Sequence, residues 1–361
     1  MDAYIIDAVR TPFGRYRGGL SGVRTDDLAA IPIAELVRRN AELDPALIDD
    51  VILGDTNGAG EDNRNVARMA TLLAGLPVSV PGTTVNRLCG SGGEAMVQAA
   101  RALAVGDAAL VVAGGVESMS RAPYVLPKPD EALPKRMEMH QTTVGWRMVN
   151  PRFPDRWTAS LGACAERVAA DLGIGRDQQD GWALRSHQRA AEAWDKGLYD
   201  DYVVEVEGVR RDESIRSDTS AERLAGLKPA FTRDGAVTAG NSSPLNDGAL
   251  ATLMGTRAAA AELGVEPLGR VLASATAGVE PERFSVAPVP AIGKALARAG
   301  LDARDVDVWE VNEAFAAMVL ATLQGLRESG IDLDVERVNP HGGAIAIGHP
   351  LGASAPRVVV D

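Results

Sequence analysis

Short apolar runs alternate with longer amphipathic segments along the first third of the chain, which is the pattern of an α/β protein. Helices are predicted at 27–40, where Asp27 can cap the first turn, and at 94–105, where Gly106 follows. Strands are predicted in the short apolar runs, at 3–9, 51–54, 83–86 and 109–113. The alternation indicates a sheet that is covered by helices on both faces.

The stretch from Glu117 to about Gly240 interrupts this alternation with prolines, charged segments and four of the five tryptophans. We interpret it as an inserted, partly helical region that lies over a candidate active site, with a helix predicted at 178–196. After the insertion the first pattern recurs, with strands expected at 270–275 and 306–310. The chain is therefore expected to contain two similar α/β halves.

The repeat sets the expected boundaries of these parts. The second copy reaches Asp361 before any strand that corresponds to 109–113 of the first copy, so the last strands of the second half are expected to be missing. The expected division is a first half over 1–117 that is completed by about 241–266, an insertion over 118–240, and a second half over 267–361.

Composition narrows the classes of function. Of the 361 residues, 46% are hydrophobic and 24% are charged, as in ordinary globular proteins. The 49 acidic and 37 basic side chains give a net charge of −12, which argues against nucleic-acid binding. Two cysteines suit a reducing compartment, and we find neither a secretory signal nor an apolar run of about 18 residues. We therefore expect a cytoplasmic protein without membrane association.

The strongest local feature is the sequence VNRLCGSGG at 85–93, where a strand leads into Cys89 and small residues lead into a helix. A thiol at a helix N-terminus meets free N–H groups and the positive end of the helix dipole, so we expect a lowered pKa and a nucleophilic role. A buried structural cysteine is the alternative interpretation. Cys164 lies inside a helix-like run and is expected to be a core residue.

His349 is the candidate base for this cysteine. It follows the strand-like run AIAI within the sequence GGAIAIGHPLG and precedes a proline, on a turn beside a second helix start. It could take a proton from Cys89 or only stabilise the turn, and the residues favour neither. His187 is expected to be a solvated residue on a helix surface.

Asn312, in the sequence VNEAF, is expected to cap the helix that follows, and a side-chain amide there could equally hold a water or an oxyanion. The chain has no complete dinucleotide-binding fingerprint, no phosphate-binding loop and no HExxH sequence. No metal, flavin or nicotinamide is therefore predicted.

Five spaced motifs resemble those of one family, the thiolases. They are VNRLCGSG around Cys89, AGGVESMSRAPY at 113–124, TAGNSSPLNDGA at 238–249, VNEAF at 311–315 and NPHGGAIAIGHPLGAS at 339–354. The resemblance extends over essentially the whole chain, and within the family it is to bacterial acetyl-CoA acetyltransferases and 3-oxoadipyl-CoA thiolases. It implies an α/β fold in five layers, α-β-α-β-α, with two pseudo-symmetric halves and a loop domain inserted in the first.

The resemblance also implies an activity, acyl-CoA:acetyl-CoA C-acyltransfer, which is the Claisen condensation and thiolysis of 3-oxoacyl-CoA in fatty acid metabolism. Cys89 would carry the acyl group as a thioester. His349 would activate it and, with a water held by Asn312, stabilise the thioester enolate. Ser243 and Arg216 match positions that contact coenzyme A. Coenzyme A and acetyl-CoA would be substrates, with no tightly bound cofactor, in a homodimer or homotetramer.

Some positions depart from the family pattern. The family's second catalytic cysteine, in a Cys-x-Gly loop beyond the GHPLG turn, has no counterpart here, so slow turnover is expected. Ser160 replaces a family histidine, and the chain reads SAPR at 354–357 where many members read SGAR. Two alternatives stay open, a condensing enzyme like the ketoacyl synthases and an inactive remnant that binds coenzyme A.

Overall fold

A computed structural model describes residues 2–361. The strands are β1 (Tyr4–Arg10), β2 (Gly14–Arg15), β3 (Asp50–Gly54), β4 (Gly82–Val85), β5 (Leu110–Ser118), β6 (Tyr124–Val125), β7 (His140–Gln141), β8 (Asn246–Gly255) and β9 (Gly269–Arg270). The helices are α1 (Thr25–Arg39), α2 (Val66–Leu73), α3 (Ser91–Val105), α4 (Leu161–Leu172), α5 (Arg176–Asp195), α6 (Ala221–Ala225), α7 (Arg257–Glu262), α8 (Pro288–Ala299), α9 (Ala316–Glu328), α10 (Ala344–Ile347) and α11 (Leu351–Val360).

One mixed sheet of seven strands organises the first half. Its order is β4–β3–β5–β8–β1–β9, and β2 pairs with β8. β3 runs parallel to β4 and β5, whereas β8 is antiparallel to β5 and β1. Gly54 is in register with Val85 on one side and Gly115 on the other. The turns that follow β3, β4 and β5 therefore leave the sheet at one edge.

Side-chain alternation along the strands places helices on both faces of this sheet, as predicted. Val51 and Leu53 pack in the core that α1 and α2 cover, while Ile52 packs in the core that α3 covers. All three side chains are buried, and burial of each contributes about 1.5–3 kcal/mol. α11 lies beside α3 and also contacts β5.

The predicted helices and strands of the first half are confirmed, with small shifts at their ends. The predicted cap is wrong, because the N-cap of α1 is Arg24, with no side-chain hydrogen bond, and Asp27 lies in the first turn. There its charge still interacts favourably with the helix dipole. The C-cap of α3 is Gly106, whose φ of 80° is in the left-handed region that glycine adopts without strain.

The two strands predicted in the second half do not form over their predicted ranges, so both predictions are wrong. The first is reduced to β9, which pairs with β1 of the first sheet. The second is reduced to one parallel bridge between Trp309 and Val338. A strand requires hydrogen-bonded neighbours, and within residues 2–361 these two segments pair with no further strand. In the same range, no helix is both long enough and apolar enough to cross a membrane.

Candidate active site

Cys89 lies in a tight turn between β4 and α3. The preceding residue, Leu88, has a φ of 49°, which costs a side chain of this kind about 1–3 kcal/mol. Hydrogen bonds hold the turn, because Leu88 N donates to Asn86 Oδ1 at 2.9 Å and Arg87 N donates to Ser91 Oγ at 2.8 Å. Ser91 Oγ in turn donates to Leu88 O at 2.6 Å. The thiol is thereby fixed just ahead of the first turn of α3.

The environment of this thiol is opposite to the one expected from the sequence. Cys89 is a free cysteine of intermediate exposure. Burial raises the pKa of Cys89 to about 11, and the nearby carboxyl of Glu117 adds to the rise. The prediction of a lowered pKa is therefore wrong, since the start of α3 does not offset desolvation beside an acidic group. At neutral pH Cys89 is a thiol.

His349 stands on the turn between α10 and α11. The run AIAI before it is a short helix rather than the expected strand, and it ends at Gly348. Gly348 has a φ of 121°, and a Cβ there would lie 2.6 Å from the side-chain amide of Asn246. Asn246 Oδ1 accepts a hydrogen bond of 2.9 Å from His349 N. A glycine and a buried amide therefore fix where the histidine leaves the backbone.

The hydrogen bonds around His349 define its tautomer. Its Nδ1 lies 2.6 Å from Ser354 Oγ, and Ser354 Oγ donates its hydrogen to Pro350 O at 2.8 Å. Because a hydroxyl has one hydrogen to give, Nδ1 carries the proton and donates to Ser354. Burial, with a smaller contribution from Arg357, lowers the pKa of His349 to about 4. The ring is therefore neutral at pH 7, with a lone pair on Nε2 that can accept a proton.

The helices that follow the two residues touch through glycines. Gly92 and Gly352 each lie three residues after Cys89 and His349, respectively, and a Cβ on Gly92 would collide with Gly352 O. A Cβ on Gly54 would likewise collide with Gly92 N. No side chain can fit between these backbones. The turns that carry the thiol and the imidazole are thus joined by direct backbone contact between α3 and α11.

Asn312 lies against the imidazole but does not cap a helix, so that expectation is wrong. The helix begins at Ala316, and its N-cap is Phe315. Asn312 Nδ2 is 3.4 Å from His349 Nε2, and Asn312 Oδ1 is buried without a hydrogen-bond partner among the described residues. An unpaired buried acceptor is costly unless something donates to it. The amide is therefore suited to the alternative role, in which it holds a water or part of a ligand.

A cleft of about 660 Å³ lies between the insertion and the turn that precedes β8. Arg15, Arg216 and Arg223 line it together with Ser242 and Pro244. Two carboxylates, those of Glu213 and Asp218, also line the cleft, and Asp218 pairs with Arg223. The three guanidinium groups still leave a net positive charge, which favours an anionic ligand.

Ser243, which the resemblance assigned to coenzyme A together with Arg216, lies between two residues that line this cleft. Ser243 N donates to Ala314 O at 3.0 Å, and Ser242 bridges to Phe315. The cleft is therefore tied to the segment that carries Asn312.

His187 also lines this cleft, so its prediction as a surface residue is wrong. It is 4% exposed, and its Nδ1 accepts a hydrogen bond of 3.1 Å from Arg216 N. Burial, with Arg216 as a second cause, lowers the pKa of His187 to about 4. The expectation for Cys164 is confirmed, because it is a free cysteine buried in α4.

Sequence reasoning missed Glu313, an acidic residue within the apolar motif VNEAF. It is 1% exposed and accepts hydrogen bonds from Trp182 Nε1 at 2.9 Å, Ser186 Oγ at 2.6 Å and Asn339 Nδ2 at 2.9 Å. Through these hydrogen bonds, Glu313 links the insertion to both motifs of the second half, VNEAF at 311–315 and the motif at 339–354. The signal in the sequence was an acid in a segment that is otherwise mostly apolar, since a buried acid must find hydrogen-bond partners.

Two family models match nearly the whole chain. The thiolase N-terminal domain matches residues 3–258, and the thiolase C-terminal domain matches residues 265–361. The chain therefore belongs to the thiolase family, which confirms the resemblance and the prediction of an enzyme of the C-acyltransferase type.

Individual relatives agree with this assignment. A beta-ketoadipyl-CoA thiolase of Escherichia coli is 53% identical over 99% of this chain and 91% of its own length. The crystal structure of the Bacillus anthracis acetyl-CoA acetyltransferase matches with a TM-score of 0.90, 38% identity, and 99% and 90% coverage of the two chains. Human mitochondrial 3-ketoacyl-CoA thiolase in complex with CoA matches with a TM-score of 0.90 and 35% identity, covering 99% and 89%. The predicted α/β thiolase fold is thereby confirmed.

Proposed function

We propose that this chain transfers acyl groups between coenzyme A thioesters through a thioester on Cys89. The observation that carries the proposal is the backbone contact of α3 and α11, which brings the turn of Cys89 beside the turn of His349. Both groups are neutral at pH 7, because burial raises the pKa of the thiol and lowers that of the imidazole. The pair is therefore suited to general-base activation during attack rather than to a preformed thiolate.

In the first half-reaction, Nε2 of His349 takes the proton of Cys89 while the sulfur bonds to the acyl carbonyl carbon. The carbon–sulfur bond to coenzyme A then breaks, and the leaving thiolate takes the proton back from the imidazolium. The products are acyl-Cys89 and free coenzyme A. The imidazolium costs free energy in this buried site, so the return of the proton is favourable.

In the second half-reaction, the acyl group leaves Cys89 for one of two acceptors. In condensation, the α-carbon of acetyl-CoA bonds to the acyl carbon, the carbon–sulfur bond to Cys89 breaks, and the α-proton ends on the Cys89 sulfur. Thiolysis runs in the opposite direction: Cys89 attacks the 3-oxo carbon of a 3-oxoacyl-CoA, the carbon–carbon bond breaks, and the released carbon takes the thiol proton to give acetyl-CoA. Coenzyme A sulfur then takes the acyl group from Cys89, which regains a proton from the coenzyme A thiol. In our proposal Asn312 holds a water beside His349, and the two stabilise the thioester enolate. The slow turnover expected from the sequence stays a prediction.

The cleft lined by arginines supports a binding site for coenzyme A, with no tightly bound cofactor. Arg216 contributes its charge to this cleft, and Ser243 lies at its wall beside the Asn312 segment. Arg15 lies in the same cleft and would complement the phosphates together with Arg216, whereas Arg223 pairs with Asp218. The anionic end of coenzyme A would thus be held apart from the reacting sulfur.

For the acyl group we propose 3-oxoadipyl-CoA, because a relative with 53% identity is named a beta-ketoadipyl-CoA thiolase. Cleavage of 3-oxoadipyl-CoA by coenzyme A should then be at least about tenfold more efficient, as kcat/KM, than cleavage of acetoacetyl-CoA. Equal efficiency for the two would contradict this choice of substrate.

Exchange of labelled coenzyme A into unlabelled acetyl-CoA tests the acyl-enzyme directly, since it needs only the first half-reaction and its reverse. The chain should catalyse exchange without any second acyl acceptor, and Cys89→Ala should abolish it. His349→Asn should slow it by about 10²–10⁴-fold, whereas Cys164→Ala should leave it unchanged. Binding of coenzyme A without exchange would instead support the inactive remnant, and a requirement for acyl carrier protein would support the ketoacyl-synthase alternative.

We also propose a cytoplasmic homodimer or homotetramer. Both cysteines are free, which suits a reducing compartment. Large apolar side chains are exposed along 124–153 of the insertion, among them Tyr124, Leu133 and Trp146. Apolar surface of this kind is typical of contacts between subunits. Light scattering after gel filtration should give the mass of two or four chains, and a monomer would overturn the proposal.

A further inference from the structure

Glu117 is a buried acid that the proposed reaction does not use. It lies near the end of β5 and is 3% exposed. Its Oε2 accepts hydrogen bonds from Thr56 N at 3.1 Å and Gly352 N at 3.0 Å, and its Oε1 accepts one from Thr56 Oγ1 at 2.8 Å. One carboxyl group therefore connects three separate parts of the chain.

The partners of Glu117 belong to the two sides of the active site. Thr56 follows β3, at the sheet edge where the Cys89 turn also leaves the sheet. Gly352 is in the first turn of α11, three residues after His349. Its N–H is one of those that a helix leaves without an internal partner, and a carboxylate there also interacts favourably with the helix dipole.

Backbone packing fixes the position of the Gly352 N–H that donates to Glu117. A Cβ on Gly352 would collide with Val116 O, and a Cβ on Gly115 would collide with Gly352 O. The first turn of α11 therefore sits directly on β5, with Glu117 at the point of contact. If the Glu117 side chain were displaced, Gly352 N would lose its hydrogen-bond acceptor. The close backbone packing leaves no room for another side chain to replace it.

Glu117 also sets the charge near the nucleophile. Asp55 and Asp62, both after β3, face it in the same buried cluster, and burial raises the pKa of Asp55 and of Glu117. Glu117 in turn raises the pKa of Cys89. The thiol titrates at a higher pH than Glu117 does, so the carboxylate is charged throughout the range in which Cys89 loses its proton.

We propose that Glu117 is a positioning residue that holds the His349 turn against the Cys89 turn through its hydrogen bonds to Thr56 and Gly352. The proposal rests on these hydrogen bonds, and only its readout by acetyl transfer rests on the proposed function. The length and the charge of the Glu117 side chain can be changed separately, so one variant tests each property.

Glu117→Gln keeps the length of the side chain and removes the charge. Its amide oxygen can accept from the two N–H groups, and its NH₂ can donate to Thr56 Oγ1. In a Cys164→Ala background, the pH midpoint for alkylation of Cys89 by iodoacetamide should fall by about one unit. Glu117→Asp keeps the charge but loses a methylene, so the midpoint should stay while acetyl transfer from acetyl-CoA to Cys89 slows about 10–10²-fold.

The matched control is Glu166→Gln, which removes a buried carboxyl group that accepts hydrogen bonds from Ala236 N and Val237 N in the insertion and makes none with α11 or with the Cys89 turn. It should leave the pH midpoint for alkylation within about 0.3 pH units of the parent and the transfer rate within about twofold. A midpoint in Glu117→Gln and a rate in Glu117→Asp that both match the control would overturn the proposal. If the parent chain is alkylated but never acetylated, the proposed function fails, while the midpoint still tests the effect of Glu117.

Discussion

At the scale of single residues, burial decides the protonation states of the active site. Cys89 and His349 are both neutral because each charged form would lose hydration, and the nearest charged neighbours strengthen both shifts. The thiol faces an acid, Glu117, and the imidazole faces a base, Arg357. A neutral imidazole can act as the base only if its free lone pair is directed to the sulfur. The bond from Nδ1 to Ser354 makes Nε2 the unprotonated nitrogen, beside the amide of Asn312.

The tautomer predicts a specific role for Ser354. In Ser354→Ala, His349 Nδ1 loses its acceptor, so both tautomers become populated and acetyl transfer to Cys89 should slow about 10–10²-fold. The measurement is the single-turnover rate with acetyl-CoA. Ser329→Ala is the matched control, because Ser329 Oγ makes the same type of bond, to Gly325 O at 2.8 Å, on an exposed helix end. Equal rates in the two variants would show that Ser354 does not set the tautomer.

At the scale of secondary structure, glycine determines how closely the catalytic helices approach. Gly54, Gly92, Gly115 and Gly352 lie where β3, β5, α3 and α11 meet, and a Cβ at any of them would strike backbone. The motif GSGG after Cys89 and the motif GHPLG around His349 are thus two sides of one contact. The glycines serve close packing here, since none of the four has a positive φ.

Gly92→Ala should separate α3 from α11. The new methyl group would meet Gly352 O and the ring of Pro356, so we expect a loss of about 1–3 kcal/mol in the free energy of unfolding and a marked loss of acetyl transfer. Chemical denaturation and the single-turnover rate measure the two effects. Gly181→Ala is the control, because Gly181 is in α5 with nothing within 4 Å of its Cβ position, and alanine there should stabilise the helix by up to about 1 kcal/mol. A Gly92→Ala protein as stable and active as the parent would contradict this packing.

At the scale of the whole molecule, the sequence predicted the layers and the site motifs better than the environment of each residue. The periodicity of apolar residues located the first sheet and its helices, because alternate side chains of each strand are buried against helices on opposite faces of the sheet. It could not place His187, whose helix is polar enough to suggest solvent although the loop at Arg216 covers it. The raised pKa of Cys89 could not be predicted from the sequence either, since it depends first on burial and then on Glu117, and both follow from tertiary packing. The proposed division into 1–117, 118–240 and 267–361 stays a prediction.

The buried histidines predict acid sensitivity of the whole fold. The pKa of His187 is about 4 in the folded protein and 6.5 when unperturbed, so the unfolded chain binds the proton first as the pH falls. Stability from this group is complete above about pH 6.5 and declines toward pH 4, by about 2 kcal/mol at pH 5. His187→Asn keeps an acceptor for Arg216 N but cannot titrate. Between pH 7 and pH 5, the free energy of unfolding should therefore decrease by about 2 kcal/mol less in the variant than in the parent. An identical decrease in both proteins would refute this assignment.

The most direct test of the account is intact-mass and peptide mass spectrometry after mixing the chain with acetyl-CoA. We predict a mass increase of one acetyl group on the peptide that contains Cys89, formed more slowly in His349→Asn and absent in Cys89→Ala. An acetyl group on Cys164 with Cys89 unmodified, or the same rate with and without His349, would contradict the account.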